Sequence, residues 1–140
     1  VDNKILDLLN NRMKLVHKVG ALKAKSGGAI YRKKREKSII DRLEKINNEK
    51  AALLYSEIDR NSLFKGTAEV EDRSNMNATF VLTDESLTEK FDAMWKAAGI
   101  SGLTGHRSVG GYRASMYNAL PLESVQVLVD VMKELEVSVQ

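Results

Sequence analysis

The stretch "EKINNEKAALLYSEID", residues 44–59, decides the fold because it carries a helical pattern across the point where the character of the chain changes. Ala51, Leu54 and Ile58 recur at three- and four-residue spacing, as on one face of a helix, and Ile46 and Leu53 are further apolar side chains of the stretch. Asn47-Asn48 is the only weak point, since asparagine is a modest helix former, and no stop signal follows it. The sequence therefore predicts one uninterrupted helix from about residue 33 to about residue 59.

Upstream of this stretch, residues 2–25 predict another helix. Apolar side chains recur there at the same spacing: Ile5, Leu8, Leu9, Leu15, Val16, Val19 and Leu22. Ser26-Gly27-Gly28 ends this helix, because glycine readily takes the left-handed conformation that caps helices. Residues 1–49 are therefore predicted to form a long helical hairpin.

Downstream, residues 50–140 alternate between strand and helix patterns. The strand patterns are "MNATFVLT" (76–83), "ISGLTGH" (100–106) and "RASMYNAL" (113–120), and the helix patterns are "DESLTEKFDAMWKAAG" (84–99) and "PLESVQVLVDVMKELE" (121–136). Thr83 or Asp84 is expected to cap the first of these helices, and Pro121 to open the second. The sequence thus predicts an α+β fold, in which the second helix of the hairpin continues into a small β-α-β-β-α domain with helices packed on one sheet face.

Composition limits the classes of function. The 140 residues include no cysteine, which leaves no disulfide framework and no thiolate metal site and fits a cytoplasmic protein. No apolar run approaches the roughly 18 residues of a membrane helix, and His17 has no second ligand at metal spacing. Residues 1–49 hold 13 Lys and Arg against 6 Asp and Glu, whereas residues 50–140 hold 9 against 13. The basic run "YRKKREK" (31–37) lacks an accompanying recognition motif, so we do not expect a nucleic-acid partner.

Two cations lie within the apolar stripe of the first helix. Arg12 and Lys23 fall on one line with Val16 and Val19, at offsets of 0, 4, 7 and 11 residues. A buried unpaired charge is expensive, so such cations normally await an anion or a carboxylate partner. The alternative is that both side chains extend to the edge of the helix pair and keep their charges in water.

The same residues resemble a known enzyme family. The stretch "KILDLLNNRMKLVHKVGALKAKSGGAIYRKKREKSIIDRLEKIN", residues 4–47, is similar to the all-helical chorismate mutases, especially the mutase domain fused to prephenate dehydratase. Three features carry the resemblance: Leu-Leu-x-x-Arg ending at Arg12, Val-Gly-x-x-Lys ending at Lys23, and Tyr-Arg-x-x-Arg-Glu ending at Glu36. The resemblance implies a cofactor-free rearrangement of chorismate to prephenate.

The resemblance also implies roles for four side chains. Arg12 would pair with a substrate carboxylate, and Lys23 would donate a hydrogen bond to the ether oxygen of the breaking bond. Arg35 and Glu36 would line the same pocket, with Glu36 near the substrate hydroxyl. The family's first helix starts earlier and carries an arginine there, a third helix completes its pocket, and Pro-Glu stands where this sequence has Lys33-Lys34. Since a dry, enclosed site contributes much of such a rate, we expect little or no mutase activity, with residual activity as the alternative.

A second resemblance begins in the glycine-rich segment "GLTGHRSVGGYRASMYNAL", residues 102–120, which places three basic side chains among four glycines. Together with the residues up to 136, it is similar to the C-terminal end of the phosphoserine aminotransferases, pyridoxal-phosphate enzymes of serine biosynthesis. The resemblance extends back to about residue 50. It implies that His106 and Arg107 meet a substrate phosphate, and that Arg113 anchors a carboxylate through the planar fork of its guanidinium.

The aminotransferase resemblance implies no cofactor in this chain. In that family a large domain holds pyridoxal phosphate, and no residue before 50 resembles it. Because the cofactor performs the electron-sink chemistry, we expect no transamination, while weak binding of an anion or phosphate remains open. The alternative is that His106, Arg107 and Arg113 are solvated or paired with acidic side chains.

The two resemblances meet near residues 47–52, inside one predicted helix, where neither family would naturally be divided. We interpret the chain as an artificial fusion of two enzyme fragments, residues 1–49 and 50–140, with a structural or assembly role. A helical pair of about 49 residues cannot bury its apolar stripe alone, so a homodimer along the first helix is expected. A residual chorismate mutase and a phosphoserine aminotransferase fragment are the alternatives.

Overall fold

The computed structural model describes residues 2–27, 32–106 and 110–139. The chain divides into two compact units, Val1–Ile40 and Asp41–Gln140. Helix α1 spans Asp2–Lys25 in the first unit, and helix α2 spans Lys33–Arg60, beginning in the first unit and ending in the second. The second unit continues with β1 (Phe64–Gly66), β2 (Asn77–Leu82), α3 (Thr88–Ala97), β3 (Tyr112–Ser115) and α4 (Leu122–Val137).

The first unit has an amphipathic helix whose apolar stripe is not covered. Helix α1 ends as predicted, with the Ser26 N–H bonded to Leu22 O and Gly27 at a φ of 67°. No described side chain of α1 is buried. The helix predicted from periodicity is present. Among the described residues of this unit, however, no other element buries its apolar stripe, although such burial normally stabilises an amphipathic helix.

Helix α2 runs through Asn47-Asn48 without interruption, as predicted. Contacts in the second unit explain why two modest helix formers are tolerated there. Asn47 Nδ2 donates to Asn118 Oδ1 at 2.7 Å, and Asn75 Nδ2 donates to Asn48 Oδ1 at 2.6 Å. These side chains are engaged by loop residues, so they do not compete for the helix backbone as exposed asparagines do.

The sheet is antiparallel, in the order β1-β2-β3, and it buries one face. Alternate residues of β2 are buried, and those of β3 follow the same alternation, as a half-buried strand requires. Phe64 pairs with Leu82, and Phe80 with Tyr112, so side chains of all three strands meet on the buried face.

Four aromatic rings form the centre of the core. Phe64 contacts Phe80 and Phe91 edge to face, at centroid distances of 5.8 and 5.1 Å. Tyr112 stacks on Phe80 at 5.4 Å and meets Phe91 edge to face at 5.0 Å. Such offset and edge-on pairs each contribute about 0.5–1.5 kcal/mol beyond the area they bury. Helices α2, α3 and α4 add their own buried residues to the same cluster, for example Leu54, Phe91 and Met132.

The α+β class is confirmed, and the strand positions differ from the prediction in three places. The strand predicted over residues 113–120 covers only Tyr112–Ser115. Residues 100–106 do not form a strand. Gly102 has a φ of 71°, and only Thr104 makes an isolated bridge, to Tyr112. The three-residue strand β1 was missed because it is too short to show an alternating pattern. The order after the helical pair is therefore β-β-α-β-α.

Candidate functional site

The four residues predicted for a mutase-like site all lie in the first unit. Arg12 and Lys23 are on α1, and Arg35 and Glu36 are in the first turn of α2. Arg12, Arg35 and Glu36 are exposed, and Lys23 is half-buried. An anion partner for the two α1 cations, and side chains that extend into water, both stay predictions.

The separation of Arg12 and Lys23 limits what they can hold. Eleven residues of helix span about 16 Å along the axis, at roughly 1.5 Å per residue. A small dianion would contact both cations only if the two long side chains converged on it. Attraction between charges is weak where water surrounds them, and three of the four side chains are exposed among the residues that the structure describes.

The second predicted site is built on a loop whose two arms pair through the backbone. The Arg113 N–H donates to Leu103 O at 2.7 Å, and the Gly105 N–H donates to Gly111 O at 2.8 Å. Thr104 lies opposite Tyr112 between these bonds. The Gly110 N–H donates to His106 O at 2.9 Å and closes the loop. The residues before and after the tip are thus fixed to the end of β3.

Two glycines make this loop possible. A Cβ at Gly105 would overlap Gly110 O and lie 2.9 Å from Gly111 O, so the backbones approach too closely for a side chain. Gly111 has a φ of 64°, and a Cβ there would lie 2.8 Å from both Phe80 O and Val81 Cγ1. Contacts within the protein itself therefore require glycine at both positions.

The loop carries the predicted anion-binding side chains to different positions. His106 is exposed at the end of the first arm, and Arg113 is exposed on β3, on the opposite face of the sheet from the buried Tyr112 and Ala114. No described residue accepts a hydrogen bond from the Arg113 guanidinium. Arg107 lies outside the described residues. The geometry therefore leaves Arg113 available to an anion.

The carboxylate of Asp92 fixes the strand that follows this loop. Asp92 Oδ1 accepts hydrogen bonds from Trp95 Nε1 and from the Tyr112 hydroxyl, each at 3.0 Å, and Asp92 Oδ2 lies 3.3 Å from Lys96 Nζ. Burial raises the pKa of Asp92, but the hydrogen bonds from Trp95, Tyr112 and Lys96 outweigh burial and hold it below the usual value. Burial and the neighbouring carboxylate raise the pKa of Tyr112. Asp92 therefore stays charged at neutral pH and fixes the strand that bears Arg113.

Sequence reasoning missed the role of Lys50. Its side chain is completely buried, and Nζ donates to Met116 O and Tyr117 O at 2.8 Å and to Leu120 O at 3.1 Å. Burial lowers the pKa of this ammonium. A signal was present, because Lys50 lies three residues after Asn47 and four before Leu54 on the buried face of α2.

Other classes of site are absent from the residues that the structure describes. Over 2–27, 32–106 and 110–139, no group of three or more His, Asp or Glu side chains is placed to hold a metal ion. Within the same ranges, no helix has both the length and the apolar character needed to cross a bilayer.

Comparison with known families supports both predicted resemblances. The family model described as chorismate mutase type II matches residues 1–92. The chain belongs to the chorismate mutase type II family. The match extends past α2 into a region where the described residues form β1 and β2.

The second part of the chain is similar to phosphoserine aminotransferases. The protein of that name from Flavobacterium psychrophilum is 80% identical over 97 residues, which are 69% of this chain and 27% of the relative. The one from Flavobacterium johnsoniae is 76% identical over 94 residues, 67% of this chain and 26% of the relative. The chain thus spans about a quarter of the length of the curated relatives it matches. A 97-residue match is longer than the 91 residues from 50 to 140, so the similarity begins within α2 before residue 50.

Solved structures show the same likeness in three dimensions. A phosphoserine aminotransferase from Bacillus circulans subsp. alkalophilus is 44% identical, with a TM-score of 0.64, over 67% of this chain and 26% of that chain. A structure describing radiation damage of the Schiff base in phosphoserine aminotransferase is 45% identical, with a TM-score of 0.65, over 67% of this chain and 27% of that chain. Two segments that resemble two different enzymes are therefore present in one chain.

Proposed function

We propose that this chain is a fusion of two enzyme fragments with an assembly role and without catalytic turnover. The observation that carries the proposal is the uncovered stripe of α1. Nine large apolar side chains there are between 49 and 66% exposed: Ile5, Leu6, Leu8, Leu9, Met13, Leu15, Val16, Val19 and Leu22. Contiguous exposed apolar surface of this kind marks an association site.

A second copy of the chain is the partner that the proposal favours. Covering the exposed half of nine such side chains would contribute on the order of 10 kcal/mol per chain, at roughly 1.5–3 kcal/mol for complete burial of each. That gross gain is comparable with the free energy lost in ordering two molecules, about 4–15 kcal/mol. A self-complementary two-fold contact places the stripe of each α1 against its own kind.

Two physical reasons argue against turnover. Catalysis by charge depends on a water-excluding site, and Arg12, Arg35 and Glu36 are exposed in the single chain. The surroundings of one lysine argue against a role for pyridoxal phosphate. Lys50 is the one fully buried lysine among them, and three carbonyl groups occupy its Nζ. A lysine held in this way is not available to form a Schiff base, so the proposal includes no cofactor.

The molar mass in solution tests the assembly role. We expect the parent chain to sediment at about twice its mass of 15.6 kDa. Leu8→Glu combined with Val19→Glu places charge in the stripe and should give the single-chain mass. Ala21→Glu, an exposed position on the side of α1 away from Leu8 and Val19, is the matched control and should keep the double mass. A parent chain of single mass at 100 µM would overturn the assembly proposal.

Residual chorismate mutase activity is the alternative, and the family match over residues 1–92 favours it. In that case a second copy would have to enclose the cations of α1. Consumption of chorismate by the parent chain, abolished by Arg12→Ala in a variant of unchanged mass, would establish this alternative. If the parent chain and Arg12→Ala both consume chorismate only at the background rate, the result would support the inert fusion.

The aminotransferase-like unit adds a second candidate function, weak binding of an organic phosphate by His106, Arg107 and Arg113. The exposed Arg113 without a described hydrogen-bond acceptor favours it. Titration with phosphoserine, followed by nuclear magnetic resonance, should shift the amide of His106 in the parent and not in Arg113→Ala. An unshifted spectrum of the parent at 10 mM phosphoserine would refute this binding.

A further inference from the structure

The outer edge of β3 presents unpaired backbone groups. The Arg113 N–H donates to Leu103 O, away from β2, whereas the Met116 N–H donates to Met76 O on the β2 side. In an antiparallel strand, the N–H and C=O groups of successive residues point alternately toward and away from the neighbouring strand. Ser115 is two residues from Arg113 and one from Met116, so its N–H and C=O point away from β2, as the Arg113 N–H does. No described main-chain group pairs with them.

A groove of about 310 Å3 lies along this edge. The segment after α3 forms one wall and α4 forms the other. The apolar lining includes Ile100, Leu103, Met116, Leu120, Val125 and Leu128. Gly102, with a φ of 71°, turns the chain next to Leu103, where the pairing with β3 ends. The free part of the β3 edge is thus one side of an apolar channel.

One described residue of the groove lining has an ionisable side chain, Arg113, and three others carry hydroxyl groups: Ser101, Ser115 and Ser124. An arginine on the strand that borders an apolar channel favours an occupant that carries a carboxylate. Charge complementarity therefore selects an occupant that is apolar along its length and anionic at one position.

We propose that this groove binds an extended peptide segment that adds to β3 as a further strand. The segment would exchange hydrogen bonds with the outward N–H and C=O of Ser115, place an apolar side chain against Leu103 and Leu128, and set a carboxylate on the Arg113 guanidinium. Main-chain pairing gives affinity in this mode of recognition, and the side-chain pocket gives specificity. The proposal uses the second unit alone and is independent of association through α1.

A pair of short peptides tests the charge. The probe is acetyl-Ser-Val-Leu with a free carboxylate, and its matched control is the same peptide as an amide. We expect the acid to bind the parent chain at least tenfold more tightly than the amide, and Arg113→Gln to bind both equally weakly. Isothermal titration measures both. Equal affinity of acid and amide for the parent would overturn the proposal.

A pair of variants tests the strand pairing. Ser115→Pro removes the outward N–H, which an edge strand tolerates because β2 does not use it. Ser115→Ala keeps the N–H, and both variants lose the same hydrogen bond from Ser115 Oγ to Asn77 Oδ1 at 3.1 Å. We expect the acid peptide to bind Ser115→Ala like the parent and Ser115→Pro at least tenfold more weakly.

Two further measurements keep the proposal falsifiable if Ser115→Pro does not fold. Binding of the acid peptide to the parent should slow hydrogen exchange of the Ser115 amide, because that N–H becomes a donor to the added strand. Exchange unchanged by saturating peptide would exclude strand addition. The salt of 4-methylpentanoic acid supplies the carboxylate and an apolar chain without a backbone. Binding as tight as that of the peptide would assign the groove to small carboxylates and overturn the proposal.

Discussion

Replacement of Lys50 by methionine should destabilise the second unit by about 2–4 kcal/mol. Methionine fills a similar volume but leaves Met116 O, Tyr117 O and Leu120 O without their donor. A buried acceptor without a partner costs about 1–3 kcal/mol. Three such losses would exceed the expected figure, but removing a buried ammonium relieves a desolvation penalty of several kcal/mol. The expected loss of stability is therefore smaller than the sum of the three unpaired acceptors.

The assay is urea denaturation at pH 7, followed by the fluorescence of Trp95, which is buried in the second unit. Lys45→Met is the matched control, because Lys45 belongs to the same helix and its side chain is 78% exposed. The control should change the free energy of unfolding by less than about 0.5 kcal/mol. A Lys50→Met protein as stable as the parent, or more stable, would show that the buried charge contributes nothing net and would refute the reasoning.

The pH dependence gives the same substitution a second signature. Burial lowers the pKa of Lys50 in the folded state from the usual 10.5. Between the lowered value and 10.5, the unfolded chain binds a proton that the folded chain does not, so stability rises with pH. The parent should therefore gain stability relative to Lys50→Met as the pH rises through this window. A constant difference would contradict the lowered pKa.

Two other substitutions probe the loop and its support. Gly111→Ala should cost at least about 1 kcal/mol more than Gly110→Ala in guanidinium denaturation, because both have positive φ but only the Gly111 Cβ would meet Phe80 O; equal losses would contradict the close contact. Asp92→Asn should destabilise by about 1–2 kcal/mol at pH 7 through its weaker bond to the Tyr112 hydroxyl. The folded pKa of Asp92 is depressed, so its contribution to stability is complete above the usual value of 3.8 and is lost as the pH falls through the depressed one. Thermal melts of the two proteins should therefore converge as the pH falls below 3.8. A constant gap would be contrary evidence.

Periodicity was sufficient for the long elements of this chain. The helix through Asn47-Asn48 was predictable because apolar spacing continues on both sides of the pair and no stop signal interrupts it. The strand β1 was not, since three residues cannot display alternation. The false strand over residues 100–106 shows the opposite limit, because its apolar content suited a strand while a glycine at positive φ turned the chain.

The candidate sites depended on resemblance more than on pattern. Arg113 could be placed on a strand and proposed as an anion ligand from the family likeness, and the structure leaves its guanidinium exposed. The free edge beside it could not be predicted, because strand order and the direction of each N–H follow from long-range pairing. The burial of Lys50 was likewise hidden, since a lysine in a sequence normally indicates a solvated position.

Because α2 is continuous, one helix contains backbone hydrogen bonds of two different lifetimes. Its first turns, Lys33–Ile40, carry only exposed side chains, whereas Asn47–Ile58 includes seven buried ones. Opening the first turns exposes no core, so their amide protons should exchange with deuterium within minutes. Those of the later turns should exchange only when the whole second unit unfolds. The rate of amide exchange therefore changes sharply within one helix that has no break in its hydrogen bonding.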